Sequence, residues 1–159
     1  MSAFEAITGL ASILGFVFSL LAFVQARRAS NAARQARDGI LIRTLADEFE
    51  LACVKLDRLL DLLLHDHVVE AAMVAHELTS ALSEIPSRKS PYLDAARKDE
   101  LLNLRAQMQI VEQEIFAVRG QPLVQKKKQN LIQVCQKTSS TLRENLGTIK
   151  KDLDLGGKQ

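Results

Sequence analysis

The sequence predicts an all-α protein in which an N-terminal transmembrane helix continues into a cytoplasmic helical bundle. Three observations predict this class. Residues 7–24 carry no charge, the apolar residues after them recur at steps of three and four, and only 4% of the chain is aromatic. Strands are enriched in aromatic residues, and no alternating apolar run is bounded by turn residues, so we expect essentially no sheet.

The first element is the predicted transmembrane helix at residues 7–25, which follows a short extracytoplasmic segment at residues 1–6. About 20 apolar residues of helix cross the hydrocarbon core of a bilayer. Glu5 is the only charged residue before Arg27, and basic residues collect on the cytoplasmic side of a span. We therefore expect a single pass through a bacterial inner membrane, with the N-terminus outside and the C-terminal bundle in the cytoplasm.

Three alternatives compete with a membrane span in this segment. An amphipathic helix lying on the membrane surface would need a charged face within the segment, and residues 7–24 provide none. A cleaved signal peptide would carry a basic region before its apolar part, and none is present here. A buried helix of a soluble protein stays open as an alternative, because an uncharged stretch of 18 residues is at the lower limit for crossing a bilayer.

Small or hydroxylated residues form a seam along this helix, at alternating steps of four and three. Such a spacing of about 3.5 residues keeps one face turned toward a partner helix, and small residues let helices approach closely in lipid. We expect the seam to assemble a homo-oligomer, and its hydroxyl groups raise the hypothesis that it lines a pore. The seam comprises Thr8, Ser12, Gly15, Ser19, Ala22, Ala26, Ala29, Ala33 and Ala36, and its register extends to Ile40.

The second element is a basic juxtamembrane helix at residues 26–39. Its basic residues are Arg27, Arg28, Arg34 and Arg37. We expect these side chains to fix the orientation of the span and to contact anionic lipid headgroups, so the lipid bilayer is a predicted partner.

The third part is the predicted cytoplasmic bundle at residues 40–155, followed by a flexible tail at residues 156–159. Four apolar stripes with helical spacing indicate four helical segments. Asp66 is the expected N-cap of the second segment, which must stop before Pro86. The stripes cover residues 42–63, 71–85, 101–118 and 131–153, and Gly120 and Pro122 mark the end of the third.

The sequence contains no recognisable catalytic or metal-binding constellation, so we predict no enzymatic activity, no metal and no cofactor. Cys53 and Cys135 lie on apolar stripes, where buried free thiols are expected. His65 and His67 are two residues apart, which does not match the spacing of three or four between metal ligands on a helix. No glycine-rich phosphate loop and no nucleophile elbow is present.

The densest basic cluster is formed by Lys126, Lys127 and Lys128. We predict it as a contact for an anionic partner, against the alternative of a solvated start of a helix. Specific binding of nucleic acid is not expected, because after residue 24 only Phe49, Tyr92 and Phe116 are aromatic and they provide no platform on which bases could stack.

Residues 11–29, ASILGFVFSLLAFVQARRA, resemble the N-terminal segments of small bacterial single-pass membrane proteins. Among these the segment is similar to the transmembrane accessory protein of type VI-B CRISPR systems. The resemblance implies a ring-shaped homo-oligomer with a helical cytoplasmic vestibule, which enhances antiphage defence by disturbing the membrane once an RNA-guided nuclease is active.

The degenerate nuclease motif of that family, an Arg followed by His after four residues, corresponds here at best to Arg143, with Thr148 in the place of His. Threonine cannot act as an acid or base at neutral pH, so no ribonuclease activity is implied.

The apolar segment and the seam predict an oligomeric inner-membrane effector that forms a pore or perturbs the membrane, and the resemblance implies that it acts in CRISPR-linked antiviral defence. The alternative is a membrane-tethered helical adaptor that docks a cytosolic protein and has no pore activity. The expected partners are therefore the bilayer, further copies of the chain and a cytosolic effector protein.

Overall fold

The computed structural model describes residues 3–87, 93–118 and 121–156, with the backbone alone at residues 3–14, 152, 155 and 156. Four helices make up almost all of these ranges, and no strand occurs within them, so the predicted all-α class is confirmed. The helices are α1 (Ala3–Leu64), α2 (Val68–Glu84), α3 (Ala95–Ala117) and α4 (Gln125–Gly156), and a 3-10 turn (Ile85–Ser87) follows α2.

The chain divides into two compact units, Met1–Ile40 and Leu41–Gln159. Helix α1 passes through Gly39 and through the boundary between the units without a break. In the part of the chain that was described, no helix is long and apolar enough to cross a membrane. Residues 7–14 of the predicted span belong to the segment described by its backbone alone.

The second unit is a helical bundle whose core is formed by the apolar stripes of all four helices. Every stripe predicted from the sequence turns inward, since the helical spacing of three and four brings its members onto one face. The largest fully buried side chains include Phe49, Leu56, Leu78, Met108 and Leu142. Three members of the stripes, Val118, Leu146 and Leu153, are only partly buried.

The turn between α1 and α2 differs from the prediction. The N-cap position of α2 is His67, and no side chain caps the helix there, so the expected N-cap at Asp66 is wrong. Asp66 instead adopts a φ of 60°, a left-handed conformation that Asp tolerates better than most residues. This conformation reverses the chain within three residues, and the Asp66 carboxylate is thereby committed to Lys128 of α4, 2.9 Å away.

The ends of the other helices follow ordinary capping chemistry. Helix α2 ends at Glu84, before Pro86, as predicted. The Asp94 side chain accepts a hydrogen bond of 2.8 Å from the backbone N–H of Arg97 and so caps α3. Helix α3 ends at Ala117, before Gly120 and Pro122. The predicted tail lies outside the described residues except for Gly156, which is the last residue of α4.

Candidate functional site

Within residues 15–40, where the side chains of the first unit are described, the large apolar residues are exposed on α1. Seven large apolar residues between positions 16 and 24 are each 41% to 69% exposed. Contiguous exposed apolar surface of this kind marks a site for a membrane or a partner protein. The seven residues are Phe16, Val17, Phe18, Leu20, Leu21, Phe23 and Val24.

The predicted seam follows the same stretch of α1. Every described seam member is exposed, whereas Thr8 and Ser12 lie outside the residues with described side chains. A Cβ atom added at Gly15 would meet no atom within 4 Å, so the chain itself gives no steric reason for a glycine there. The exposed members are Gly15, Ser19, Ala22, Ala26, Ala29, Ala33 and Ala36.

The hydroxyl of Ser19 already has a partner in its own helix. Its Oγ donates a hydrogen bond of 2.8 Å to the carbonyl oxygen of Gly15. Serine hydroxyls that bond back to the carbonyl four residues earlier leave no donor in need of water or a neighbouring helix. Ser19 is therefore compatible with a dry helix interface or with lipid, and nothing in its bonding requires a water-filled channel.

The basic juxtamembrane residues are exposed directly after the apolar stretch. Arg27, Arg28, Arg34 and Arg37 all lie on the surface of α1, and Asp38 beside them is half-buried. Their guanidinium groups are thus accessible to oxyanions.

The three lysines of the cluster have different surroundings in the structure. The Lys128 side chain is only 12% exposed and pairs with Asp66, and its Nζ also donates to the carbonyl oxygen of Leu64 at 2.9 Å. Lys127 lies 3.6 Å from Glu114, and Lys126 is exposed. Lys128 thus caps the last turn of α1, where a cation is favoured by the helix dipole.

Both cysteines are buried free thiols, as the sequence predicts. Burial raises the pKa of Cys135 to about 12. Burial also raises the pKa of Cys53, and this effect outweighs the opposing one of the nearby Arg143 guanidinium. Because the thiolate is the reactive form of cysteine, neither side chain is poised for nucleophilic or redox chemistry at neutral pH.

His65 follows the end of α1 and His76 lies on α2, and the two side chains have separate partners. The Nδ1 atom of His65 is 2.8 Å from the carbonyl oxygen of Asp61, and that of His76 is 2.8 Å from Oε1 of Glu112. Among the residues that were described, no three His, Cys, Asp or Glu side chains form a group suited to a metal ion.

Arg143 and Thr148, the two positions that correspond to the nuclease motif, do not form a common site. Arg143 makes two hydrogen bonds of 2.8 Å to the carboxylate of Asp57 on α1. The hydroxyl of Thr148 donates to the carbonyl oxygen of Glu144 at 3.1 Å. Arg143 therefore joins α4 to α1, and Thr148 is bonded within its own helix.

One feature that the sequence reasoning missed is a polar groove between α2 and α3 with a volume of about 270 Å³. Its lining includes His76, Arg105 and Glu112. The signal in the sequence was a second, polar periodicity: Arg105, Gln109 and Glu112 recur at steps of four and three and so share one face of α3.

Comparison with known proteins adds no relative. No family model, no curated protein and no solved structure matches the chain. The resemblance of residues 11–29 to CRISPR-associated membrane proteins therefore gains no support from these comparisons.

Proposed function

We propose that the protein is an oligomeric membrane effector, anchored by the first part of α1 and carrying its helical bundle in the cytoplasm. The observation that carries the proposal is the exposure of the seven large apolar residues between positions 16 and 24. Burying one such side chain contributes about 1.5 to 3 kcal/mol. In water the seven side chains lack on the order of 10 kcal/mol of this stabilisation, and a lipid environment would supply it.

The length of the apolar segment supports a span rather than a surface contact. The uncharged segment extends back in the sequence to residue 7, which makes 18 uncharged residues, close to the number a helix needs to cross a bilayer. A helix lying in the plane of the membrane would need a charged face within the segment, and the sequence provides none between residues 7 and 24.

The arginines that follow support the orientation. Arg27, Arg28, Arg34 and Arg37 are exposed immediately after the apolar residues. Each basic residue near an anionic leaflet contributes about 1 kcal/mol of attraction. These residues would therefore hold this end of the span on the cytoplasmic side and against anionic headgroups.

The seam supports assembly of several copies. Its exposed glycine and alanines offer a partner helix a close approach, which is the main means of association in lipid. Copies arranged around this face could enclose a pore or perturb the membrane. The further assignment to antiviral defence alongside an RNA-guided nuclease depends on the resemblance of residues 11–29 alone.

A second candidate is a membrane-tethered adaptor, in which the seam forms a dry interface and the bundle docks a cytosolic protein. The observation that favours it is the bond from Ser19 Oγ to the Gly15 carbonyl. With its hydroxyl satisfied inside the helix, Ser19 offers a pore little polarity, since only the remaining lone pairs face outward.

A matched pair of variants tests these proposals in vesicles of phosphatidylethanolamine and phosphatidylglycerol loaded with a fluorescent dye. Gly15→Leu places a leucine on the seam, and Val17→Leu places one two residues on, about 200° around the helix. If the chain is a seam-assembled effector, wild type and Val17→Leu float with the vesicles and release dye. Gly15→Leu floats equally well, but its dye release and its cross-linked oligomers are lost.

The outcomes separate the candidates. Flotation without dye release in wild type would favour the adaptor and reject the pore. Failure of wild type to float, while its circular dichroism remains helical, would reject membrane anchoring altogether. Equal behaviour of Gly15→Leu and Val17→Leu in the oligomer assay would reject the seam as the assembly face.

A further inference from the structure

The groove between α2 and α3 is lined entirely by polar residues. Eight side chains border its volume of about 270 Å³: three hydroxyls, two amides, one imidazole, one carboxylate and the guanidinium of Arg105. A cleft of this size is slightly smaller than the pockets that enclose drug-sized ligands. It can therefore hold one small polar group with a few attached atoms.

Several of these polar groups already have partners in the chain. The Thr79 hydroxyl donates to the carbonyl oxygen of Ala75 at 2.9 Å, and the Ser83 hydroxyl donates to that of Ser80 at 2.7 Å. The Glu112 carboxylate, which is 16% exposed, pairs with His76 at 2.8 Å. The carboxylate in the groove is thus committed to the imidazole.

Arg105 differs from these partnered groups. Its Nε atom is buried and has no hydrogen-bond partner among the described residues, although the side chain as a whole is half-buried. Buried polar groups in native proteins are nearly always hydrogen-bonded, and leaving a charged one unpaired is especially costly. Arg105 therefore brings a positive charge to the groove, together with an N–H group whose hydrogen-bonding capacity the described residues do not meet.

We propose that this groove binds an oxyanion, a carboxylate or phosphate group, on the guanidinium of Arg105. The planar fork of N–H donors in arginine matches the paired oxygens of these groups. Gln109 follows one helical turn later on the same face and also lines the groove, so its amide adds a neutral donor beside the charge. The site is independent of the membrane proposal, since it lies wholly within the bundle.

The test uses the full chain in neutral detergent, titrated with sodium phosphate and, separately, with sodium acetate, each at ionic strength held constant with sodium chloride. The readout is the ¹⁵N–¹H resonance of Arg105 Nε, identified by its loss in Arg105→Lys. We expect a saturating shift of this resonance with at least one probe. A response to phosphate alone assigns a phosphate site, and a response to acetate alone assigns a carboxylate site.

Two variants with the same change in side chain provide the control. Arg105→Lys keeps the charge but removes Nε and the fork, and Arg58→Lys makes the same change at an exposed position of α1. Binding of the anion that shifts the Arg105 resonance is measured by the rise in melting temperature that it causes. We expect Arg105→Lys to bind this anion at least about tenfold more weakly than wild type. Arg58→Lys should bind like wild type.

Two results would overturn the proposal. The first is the absence of a saturating shift of the Arg105 Nε resonance with both probes. The second is a melting-temperature response in Arg105→Lys equal to that of wild type, which would place the bound anion elsewhere.

Discussion

The two units of the chain use the same apolar residue types in opposite ways. In the bundle, Leu45, Leu56 and Leu59 of α1 are at most 2% exposed, whereas Leu20 and Leu21 of the first unit are 56% and 54% exposed. Both sets lie on the same continuous helix. The helical conformation therefore does not determine whether a side chain is buried. Burial depends on whether other helices pack against that part of α1.

The spacing of the apolar residues indicates what each part of α1 packs against. From residue 42 onward the buried apolar positions of α1 repeat at steps of three and four, and every charged residue of this part lies on the other faces, which suits one packed side. Between residues 16 and 24 apolar side chains occupy all faces, and a helix that is apolar all round belongs in a core or in a membrane. The first unit therefore needs an environment that the described chain does not provide.

The largest predicted effect comes from making one substitution in both units. Leu56→Ala removes a fully buried side chain and should lower the free energy of unfolding by about 2 to 5 kcal/mol. Leu21→Ala removes an exposed one and should change it by less than about 0.5 kcal/mol. Urea unfolding of both variants in detergent, followed by far-UV circular dichroism, measures this difference.

The reverse pattern is expected for membrane binding. Leu21→Ala should weaken the partition of the chain into vesicles, and Leu56→Ala should leave partition unchanged under conditions where the bundle stays folded. If Leu21→Ala destabilised the bundle as much as Leu56→Ala, the first unit would have a packed partner within the chain and the comparison between the units would be wrong.

The part of the fold that follows short-range periodicity was predictable from the sequence. The stripe of α3, with Leu101, Leu104 and Met108, is buried as its spacing predicts. Periodicity works there because each stripe is a local property, repeated every turn, and a single packed side explains all of it.

What the sequence reasoning missed depends on contacts between distant segments. Lys128 caps the end of α1 across a separation of 64 residues, and no local pattern connects these two positions. The N-cap predicted at Asp66 failed for the same reason, because the residue turns left-handed and pairs with Lys128 instead of with α2. The groove at Arg105 could not be predicted from α3 alone, because its lining combines residues of α2 and α3.

The next prediction, smaller in effect, concerns two neighbouring lysines with different surroundings. Lys128→Met removes the cation from Asp66 and from the Leu64 carbonyl and should destabilise the bundle by about 1 to 2 kcal/mol. Lys126→Met, at an exposed position in the same turn, should change stability by less than about 0.5 kcal/mol. Thermal unfolding in detergent measures both variants.

The opposite ranking is expected for binding to anionic vesicles. Lys126 is exposed, so its loss should reduce binding, while the loss of the largely buried Lys128 should have little effect on it. Equal losses of vesicle binding in the two variants would show that the lysines act together as one contact for anionic lipid. This would contradict the different roles that the structure indicates for Lys126 and Lys128.

The smallest predicted effect is a dependence of bundle stability on alkaline pH through Cys135. Burial raises the pKa of this thiol from 9.0 to about 12 in the folded chain. Between these values the unfolded thiol loses its proton while the folded one keeps it, so stability must fall as pH rises from about 9 toward 12. At about pH 10 this amounts to about 1.4 kcal/mol relative to neutral pH.

Other groups titrate in the same range, so the contribution of Cys135 is obtained as a difference from Cys135→Val, a change of similar volume that removes the thiol. The decline in unfolding free energy between neutral pH and about pH 10 should be steeper in wild type than in this variant. Equal slopes in wild type and Cys135→Val would contradict the burial of Cys135.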